Sequence, residues 1–133
     1  MNRINAARAN NRMCGATFYK AVPALAWNTK LFNAAAGHSH DMATKNYFSH
    51  TSKHGRTFSQ RITNAGYAWR SAGENIAAGY TTTEKVMEGW LKSAGHCANI
   101  MSANFTEIGM SCVKTTTSAY KYYWTMDLAR PRI

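Results

Sequence analysis

The sequence is poor in acidic residues and has no long apolar run. Six Asp and Glu residues stand against sixteen Lys and Arg, which gives a formal net charge of +10. No stretch approaches the roughly 18 apolar residues that cross a bilayer, and residues 1–12 lack the apolar core of a signal peptide. The chain is therefore expected to be soluble as it stands, with the signal peptide absent from it.

Cysteine is also scarce: the chain has Cys14, Cys97 and Cys112, and no CxxC pair. An odd count with this spacing argues against a structural zinc knot. Cys97 and Cys112 flank a turn-and-strand segment and could form one disulfide, or Cys14 could pair with either of them. One bridge would suit an exported protein. The alternative is three buried reduced thiols.

The positive charge is uneven along the chain. Residues 1–73 have ten basic side chains and one acid, a balance of +9, whereas residues 74–133 have a balance of +1. Such a field attracts anions such as phospholipid, cell-wall polymer or nucleic acid. Simple solubility is the alternative, because no two basic residues are adjacent.

The length of 133 residues and the hydrophobic content of 45% predict one folded domain, residues 1–133.

Helices are predicted in the first two thirds of the chain. Residues 2–13 form an opening helix, and a second helix begins after the N-cap Asn28 and ends near residue 46. His38 lies on the apolar stripe of that second helix, which predicts a hydrogen-bonded core residue. His40 lies two positions further on and is expected to face solvent.

Two capping-box patterns predict further helices, and the end of the chain predicts strands. Thr57 with Gln60 begins a short helix, and Thr81 with Glu84 begins another. The last third alternates with a period of two, which predicts strands over 105–114 and 120–129, and a third strand is expected over Trp69–Ala77. Helices first and an antiparallel meander last predict an α+β layered domain.

Three chemically active side chains lie in segments that can aim them into a cleft. His50 follows the second helix, Glu74 stands alone among small and amide residues, and His96 follows Gly95, which is expected to end a helix at a bend. Two imidazoles and a carboxylate can hold a divalent metal or do acid–base work. His54, in a polar turn, is expected to be an exposed loop residue.

A series of short motifs gives the chain a resemblance to a known family. They occur in the order WNTKL, GHSHDMA, YFSH, GRT, AGY, GENIAAG, GW, SAGHCANIM, NFTEIG and YWT. This order resembles the CAP superfamily, the SCP/PR-1-like or cysteine-rich secretory domain, in its compact bacterial extracellular form. The resemblance covers about residues 4–128, which is nearly the whole chain.

The resemblance implies a three-layer α-β-α sandwich with a central antiparallel sheet and a cleft lined by histidines and acids. By motif, the cleft residues are His50, Glu74 and His96, and the two histidines are the expected ligands of a divalent metal such as zinc. Many eukaryotic members have a second glutamate three residues after the helix tryptophan. That position, counted from Trp90, is Ser93 here. The departure weakens a catalytic interpretation.

Three functions were weighed from the resemblance and the charge. The favoured one is a non-enzymatic extracellular or periplasmic module whose cleft binds a metal and an unknown ligand, a lipid or a peptide. The second is a metal-assisted hydrolase in which Glu74 is general base for a water held by His50 and His96. The third is a binder of anionic membrane or cell-wall surfaces through the basic N-terminal half. Nucleic acid is not favoured, and a monomer is expected.

Overall fold

The computed structural model describes residues 2–133, which form five helices and six strands. The helices are, in chain order, α1 (Asn2–Arg8), α2 (Thr29–Lys45), α3 (Phe58–Asn64), α4 (Thr83–Lys92) and α5 (Ala94–Met101). The strands are β1 (Arg12–Cys14), β2 (Thr17–Tyr19), β3 (Ala26–Trp27), β4 (Trp69–Ala78), β5 (Glu107–Lys114) and β6 (Tyr122–Pro131).

A four-stranded sheet forms the middle layer, with the strand order β3-β5-β6-β4. The three strands predicted from sequence are present as β4, β5 and β6, and β6 pairs antiparallel with both neighbours. The sheet is mixed and not purely antiparallel, because the two-residue strand β3 runs parallel to β5. A separate antiparallel hairpin, β1–β2, lies outside this sheet. Both short features were missing from the prediction, since two or three residues carry no readable period.

The sheet is covered by helices on both faces, which confirms the α-β-α sandwich. Successive side chains of β6 point to opposite faces of the sheet. Trp124, Met126 and Leu128 join a core with α1, α4 and α5. Tyr123 and Ala129 pack in cores with α2 and α3 on the opposite face. Because β6 is central and covered on both sides, nearly all of its residues are buried.

Helix α2 lies directly on β5, and a glycine makes this approach possible. A Cβ built on Gly109 would lie 2.0 Å from the backbone nitrogen of Phe32, which no side chain can tolerate. The helix begins as predicted, since Asn28 Oδ1 accepts hydrogen bonds from the amides of Lys30 and Leu31. It ends at Asn46, whose φ of 53° is left-handed.

Helix α3 confirms its predicted capping box, whereas the predicted cap of α4 is wrong by one residue. Thr57 accepts from the Gln60 amide, and the Gln60 side chain accepts from the Thr57 amide. In α4 the N-cap is Thr82, not Thr81, because its hydroxyl accepts from the Lys85 amide. Either threonine suits a cap by type, and only the chain path chooses between them.

Two predicted helix ends also differ from the structure. The opening helix ends at Arg8 and not at residue 13, because residues 12–14 pair into the hairpin. Helix α4 ends at Lys92, and Gly95 lies inside α5 and does not end a helix. Ser93 alone separates the two helices, so His96 stands in the first turn of α5 and not in a bend.

One disulfide joins the hairpin to α5. Cys14 of β1 is bonded to Cys97 of α5, with their Cα atoms 5.4 Å apart. This confirms the alternative in which Cys14 is a bridge partner, and excludes both a Cys97–Cys112 bridge and three reduced thiols. Cys112 of β5 is free and exposed. The bridge and the buried Arg8, which donates to the carbonyl of Ile100, fix α5 against the N-terminal segment.

Candidate functional site

His50 forms one wall of the predicted cleft. It lies in the segment between α2 and α3, and its side chain is half-exposed. Its Nδ1 is 2.9 Å from Oε1 of Glu74. Since a carboxylate only accepts hydrogen bonds, Nδ1 carries a proton, and in the neutral ring the Nε2 lone pair remains free. A carboxylate behind a histidine in this way orients the ring for a ligand at Nε2.

Glu74 is buried on β4 and is held by Arg61 of α3. The guanidinium Nη2 of Arg61 lies 2.9 and 2.7 Å from the two carboxylate oxygens, and 2.9 Å from the backbone oxygen of His50. Burial alone would raise the pKa of Glu74. The hydrogen bond from His50, the adjoining Asp127 carboxyl and the charge of Arg61 overcome this effect, so its pKa lies below the usual range. Glu74 is therefore ionised and fully engaged.

Asp127 of β6 lies beside Glu74 in the sheet. The two residues are register partners of the antiparallel β4–β6 pair, so their side chains share one face. Asp127 is completely buried, and neither carboxyl oxygen meets a protein partner with hydrogen-bond geometry within residues 2–133. Burial, followed by the neighbouring charge of Glu74, raises its pKa well above the usual range. The pair therefore holds one negative charge, on Glu74, and one proton, on Asp127.

His96 forms the other wall of the cleft and has a neutral partner. Its Nδ1 is 2.9 Å from Oγ of Ser93, the residue that stands where many relatives have a second glutamate. Burial, then the nearby His50, lowers the pKa of His96. The backbone oxygen of His96 accepts from Nδ2 of Asn75 on β4, and Asn99 donates to the carbonyl of Glu74. These two bonds set the distance between α5 and the sheet.

A pocket of about 350 Å³ borders His96 at this edge of the sheet. Its walls include aromatic side chains from four segments of the chain: Phe48, Tyr80, Trp90 and Tyr120. The rings of Phe48 and Tyr120 lie 6.2 Å apart, and both side chains are about half exposed. The volume is in the range of small-molecule sites, which runs from roughly 300 to 1,000 Å³.

The remaining histidines lie where they were expected. His38 is completely buried, and its Nε2 donates to the backbone oxygen of Ser49 at 2.7 Å. His40 and His54 are exposed. The cluster of histidines between residues 38 and 50 is therefore not one local site.

The three predicted cleft residues come together only in part. His50 and Glu74 are in direct contact, and His96 is close enough for the charge of His50 to affect its pKa. Within the described chain there is no group of three His, Cys, Asp or Glu side chains arranged to hold a metal. The ring nitrogens that remain for an ion are Nε2 of His50 and of His96.

Sequence reasoning missed two residues of the buried network, Arg61 and Asp127. Arg61 follows the Thr57 cap by one helical turn and adjoins the buried Ile62, a signal that a long basic side chain here is covered. Asp127 is the only acid in β6, whose other residues are mostly apolar or aromatic. Each signal was visible, but their convergence on Glu74 depends on strand register and helix placement.

Comparison with known proteins decides the family. The sequence profile of the cysteine-rich secretory protein family, CAP, matches residues 1–128. The chain belongs to the CAP family. No helix in the described part of this CAP chain combines the length and apolarity needed to cross a membrane.

Two relatives from Bacillus subtilis (strain 168) match about two thirds of the CAP chain. The uncharacterised protein YkwD is 42% identical over 86 residues, which are 64% of this chain and 33% of YkwD. The uncharacterised membrane protein YlbC is 37% identical over 86 residues, 65% of this chain and 25% of YlbC. The matched region thus spans a third or less of these larger relatives.

Solved structures agree on the CAP fold. An extracellular SCP-domain protein of Bacillus anthracis is 35% identical with a TM-score of 0.72, covering 82% of this chain and 34% of that one. An outer surface protein of Borrelia burgdorferi is 21% identical with a TM-score of 0.76, and the match covers 84% of this chain and 80% of that one. A venom allergen-like protein of Schistosoma mansoni is 19% identical with a TM-score of 0.65, and the match covers 99% of this chain and 84% of that one. The last two show the fold alone.

Proposed function

We propose that this CAP domain is an extracellular binding module whose cleft takes a ligand against His96. The observation that carries the proposal is the aromatic pocket beside His96, bordered by Phe48 and Tyr120. Exposed aromatic rings around a cavity offer apolar area at little entropic cost. The chemistry of these walls suits a lipid or a peptide with an apolar side chain.

The location outside the cytoplasm is supported by two independent observations. Cys14 and Cys97 are bonded, and disulfides persist in oxidising compartments. The related Bacillus anthracis protein is described as extracellular. We therefore place the domain on the outer side of a membrane, either secreted or periplasmic.

A divalent ion such as zinc would be held by His50 and His96. The Nδ1 of each ring is engaged, by Glu74 and by Ser93, and with the Ser93 hydroxyl as the acceptor both Nε2 atoms can act as ligands. A bound divalent ion would supply Lewis acidity and open coordination positions for a ligand. Glu74 would orient His50 and offset the positive charge, while the protonated Asp127 would keep the site from carrying a second negative charge.

The engagement of Glu74 weighs against the hydrolase hypothesis. A general base needs a free lone pair and a pKa near the working pH. Both oxygens of Glu74 already accept from Arg61, and its pKa is lowered. The third hypothesis, binding of anionic membranes or cell walls, keeps its support in the net charge of +10.

Zinc titration by calorimetry tests the metal part of the proposal. The wild-type protein should bind zinc, and the double variant His50→Ala/His96→Ala should lose this binding. His40→Ala removes an exposed histidine outside the cleft and is the matched control, with wild-type heats expected. Equal heats for the double variant and the wild type would contradict the two-histidine site.

The ligand pocket can be tested separately with an apolar fluorescent probe, anilinonaphthalene sulfonate. Its fluorescence should rise on binding to the wild type, and Phe48→Ser and Tyr120→Ser should each weaken binding. Trp27→Ser is the control, because Trp27 is similarly exposed, at 44% against 46% for Phe48, but lies outside this pocket. An equal loss in the Trp27 variant would mean that the probe reports general surface hydrophobicity.

A further inference from the structure

A second cavity lies away from the His96 pocket, in the groove between α2 and α3. Its volume is about 360 Å³. On the α2 side the wall contains Ala34 and Gly37, and on the α3 side Ala65. These small side chains leave the groove open along one stripe of each helix.

Gly37 has no structural reason to be glycine. It lies in the interior of α2, where glycine is the poorest helix former after proline. Its φ is not positive, and a Cβ built on it would meet nothing within 4 Å. Neither chain conformation nor close packing therefore requires glycine here. A larger side chain at position 37 would occupy the space of the cavity.

The mouth of the cavity carries positive charge on the loop of residues 52–56, which is closed by its own hydrogen bonds. The Ser52 amide donates to the carbonyl of Arg56, and the Gly55 amide donates to the carbonyl of Ser52. These bonds hold His54 and Arg56 at the rim. Within residues 2–133 Arg56 forms no ion pair. Its guanidinium is free to bind an anion in a bidentate manner.

The one acid at the cavity is already neutralised by its neighbours. Asp41 lies 3.0 Å from Nζ of Lys45 and accepts a hydrogen bond from the hydroxyl of Tyr47. Arg61 Nε and His38 Nδ1 have no partner in the described chain, but neither atom has accessible surface, so both lie behind the lining of the cavity. The exposed Arg56 and His54 are therefore the groups that can meet an anion.

We propose that the cavity between α2 and α3 is a second binding site, for a small molecule that carries an anionic oxygen group, a phosphate or a carboxylate. The anionic group binds at Arg56 and His54, and the body of the molecule lies over Gly37. The cavity shares no lining residue with the pocket at His96, although its Arg61 also holds Glu74 and the His50 carbonyl.

Titrations followed by amide NMR test this site with two probes, inorganic phosphate and butyrate, at constant ionic strength. The amide signals of Gly37 and Gly55 should shift in a saturable way, whereas that of Gly95 in α5 should not. The preferred probe distinguishes a phosphate from a carboxylate site. Shifts that are absent at about 10 mM of both probes, or that spread evenly over the surface, would overturn the proposal.

Two variants locate the binding, and each has a control. Gly37→Leu fills the cavity and should abolish the shifts, while Gly37→Ala adds one methyl group to open space and should retain most of the affinity. Arg56→Gln should weaken binding by about tenfold, since one charge-assisted contact is lost. Lys85→Gln removes the same charge from exposed α4 and should change nothing. Wild-type affinity in both Gly37→Leu and Arg56→Gln would show that the cavity is not the site.

Discussion

The two histidine walls of the cleft are built in different ways. His50 is backed by a carboxylate, which is itself paired with a buried arginine and adjoins a protonated aspartate. His96 is backed by a serine hydroxyl and lines a pocket together with aromatic side chains. The first wall is therefore electrostatic and anchored in α3 and the sheet, whereas the second is apolar and anchored by α5.

This difference assigns different tasks to two residues of the same type. The charge network fixes the orientation of the His50 ring and keeps its Nε2 available. The apolar surroundings of His96 lower its pKa and favour contact with an uncharged part of a ligand. The two histidines are thus held asymmetrically in this chain, His50 by the carboxylate of Glu74 and His96 by the hydroxyl of Ser93.

The largest expected effect comes from breaking the electrostatic wall at Arg61. Arg61→Met leaves Glu74 buried without its guanidinium, and we expect a loss of about 3–5 kcal/mol in the free energy of unfolding. Urea denaturation measures it. Arg56→Met, which removes an exposed arginine from the preceding loop, should cost less than about 0.5 kcal/mol. If the two variants lose similar stability, the Arg61–Glu74 pair is not the anchor of this wall.

The apolar wall depends instead on the disulfide. Cys14→Ser with Cys97→Ser should lower the free energy of unfolding by about 2–5 kcal/mol, because a bridge across 83 residues restricts the unfolded chain. Thermal unfolding under oxidising conditions measures the change. Cys112→Ser is the control and should leave stability near the wild-type value, since Cys112 is free and exposed. A larger loss from Cys112 than from the bridge would reverse this assignment.

Stability against pH separates the two members of the carboxyl pair. The pKa of Asp127 is raised on folding, so the unfolded chain binds fewer protons at this site and its contribution is lost as pH rises. Asp127→Asn should therefore gain stability relative to wild type between pH 4 and 7, by at most about 1.4 kcal/mol per pH unit.

The control for this pH series is Asp41→Asn, with the opposite sign expected. The pKa of Asp41 is lowered, because hydrogen bonds from Tyr47 and Lys45 outweigh its partial burial. Its contribution is lost as pH falls below the usual carboxyl pKa of about 4, so over that acidic range the variant should lose stability relative to wild type as pH rises, and above about pH 5 the difference should stay constant. Urea midpoints at several pH values give both slopes. The same sign in both variants would mean that Asp127 is ionised.

The smallest expected effects concern the helix caps on either side of the sheet. Thr57→Ala removes the capping box of α3, and Thr82→Ala removes the cap of α4, each at a cost of about 1 kcal/mol. Thr81→Ala should cost less than about 0.5 kcal/mol, because Thr81 is not the cap. Chemical denaturation of the three variants measures the series. A Thr81 loss as large as that of Thr82 would place the helix start one residue earlier.

Features with a local cause were predictable from the sequence. Asn28 caps α2 through contacts two and three residues away, and Thr57 and Gln60 cap each other. The alternation in β6 gave its position, and the motifs around His50 and Glu74 marked two residues that are in direct contact. The packing of α2 on Gly109 and the parallel pairing of β3 with β5 depend on distant segments, and no local pattern encodes them.

The buried network was beyond sequence reasoning for a similar reason. Glu74 lies opposite Asp127 only because β4 and β6 pair in one register, and a shift of one residue would turn one carboxyl to the other face. Arg61 reaches Glu74 from a different layer of the fold. The sequence marks each of these residues as unusual for its surroundings. Their contact in one charged network, however, forms only when the chain folds.

The bridge between Cys14 and Cys97 also bears on the order in which the chain matures. A polypeptide emerges with its N-terminus first, so both half-cystines become available before Cys112 and before β6. The ring that closes contains His50 and Glu74 and ends beside His96, while β5 and the central strand lie outside it. Cys112 remains exposed on β5 outside this ring, and the last strand to arrive is the one that brings Asp127 into place.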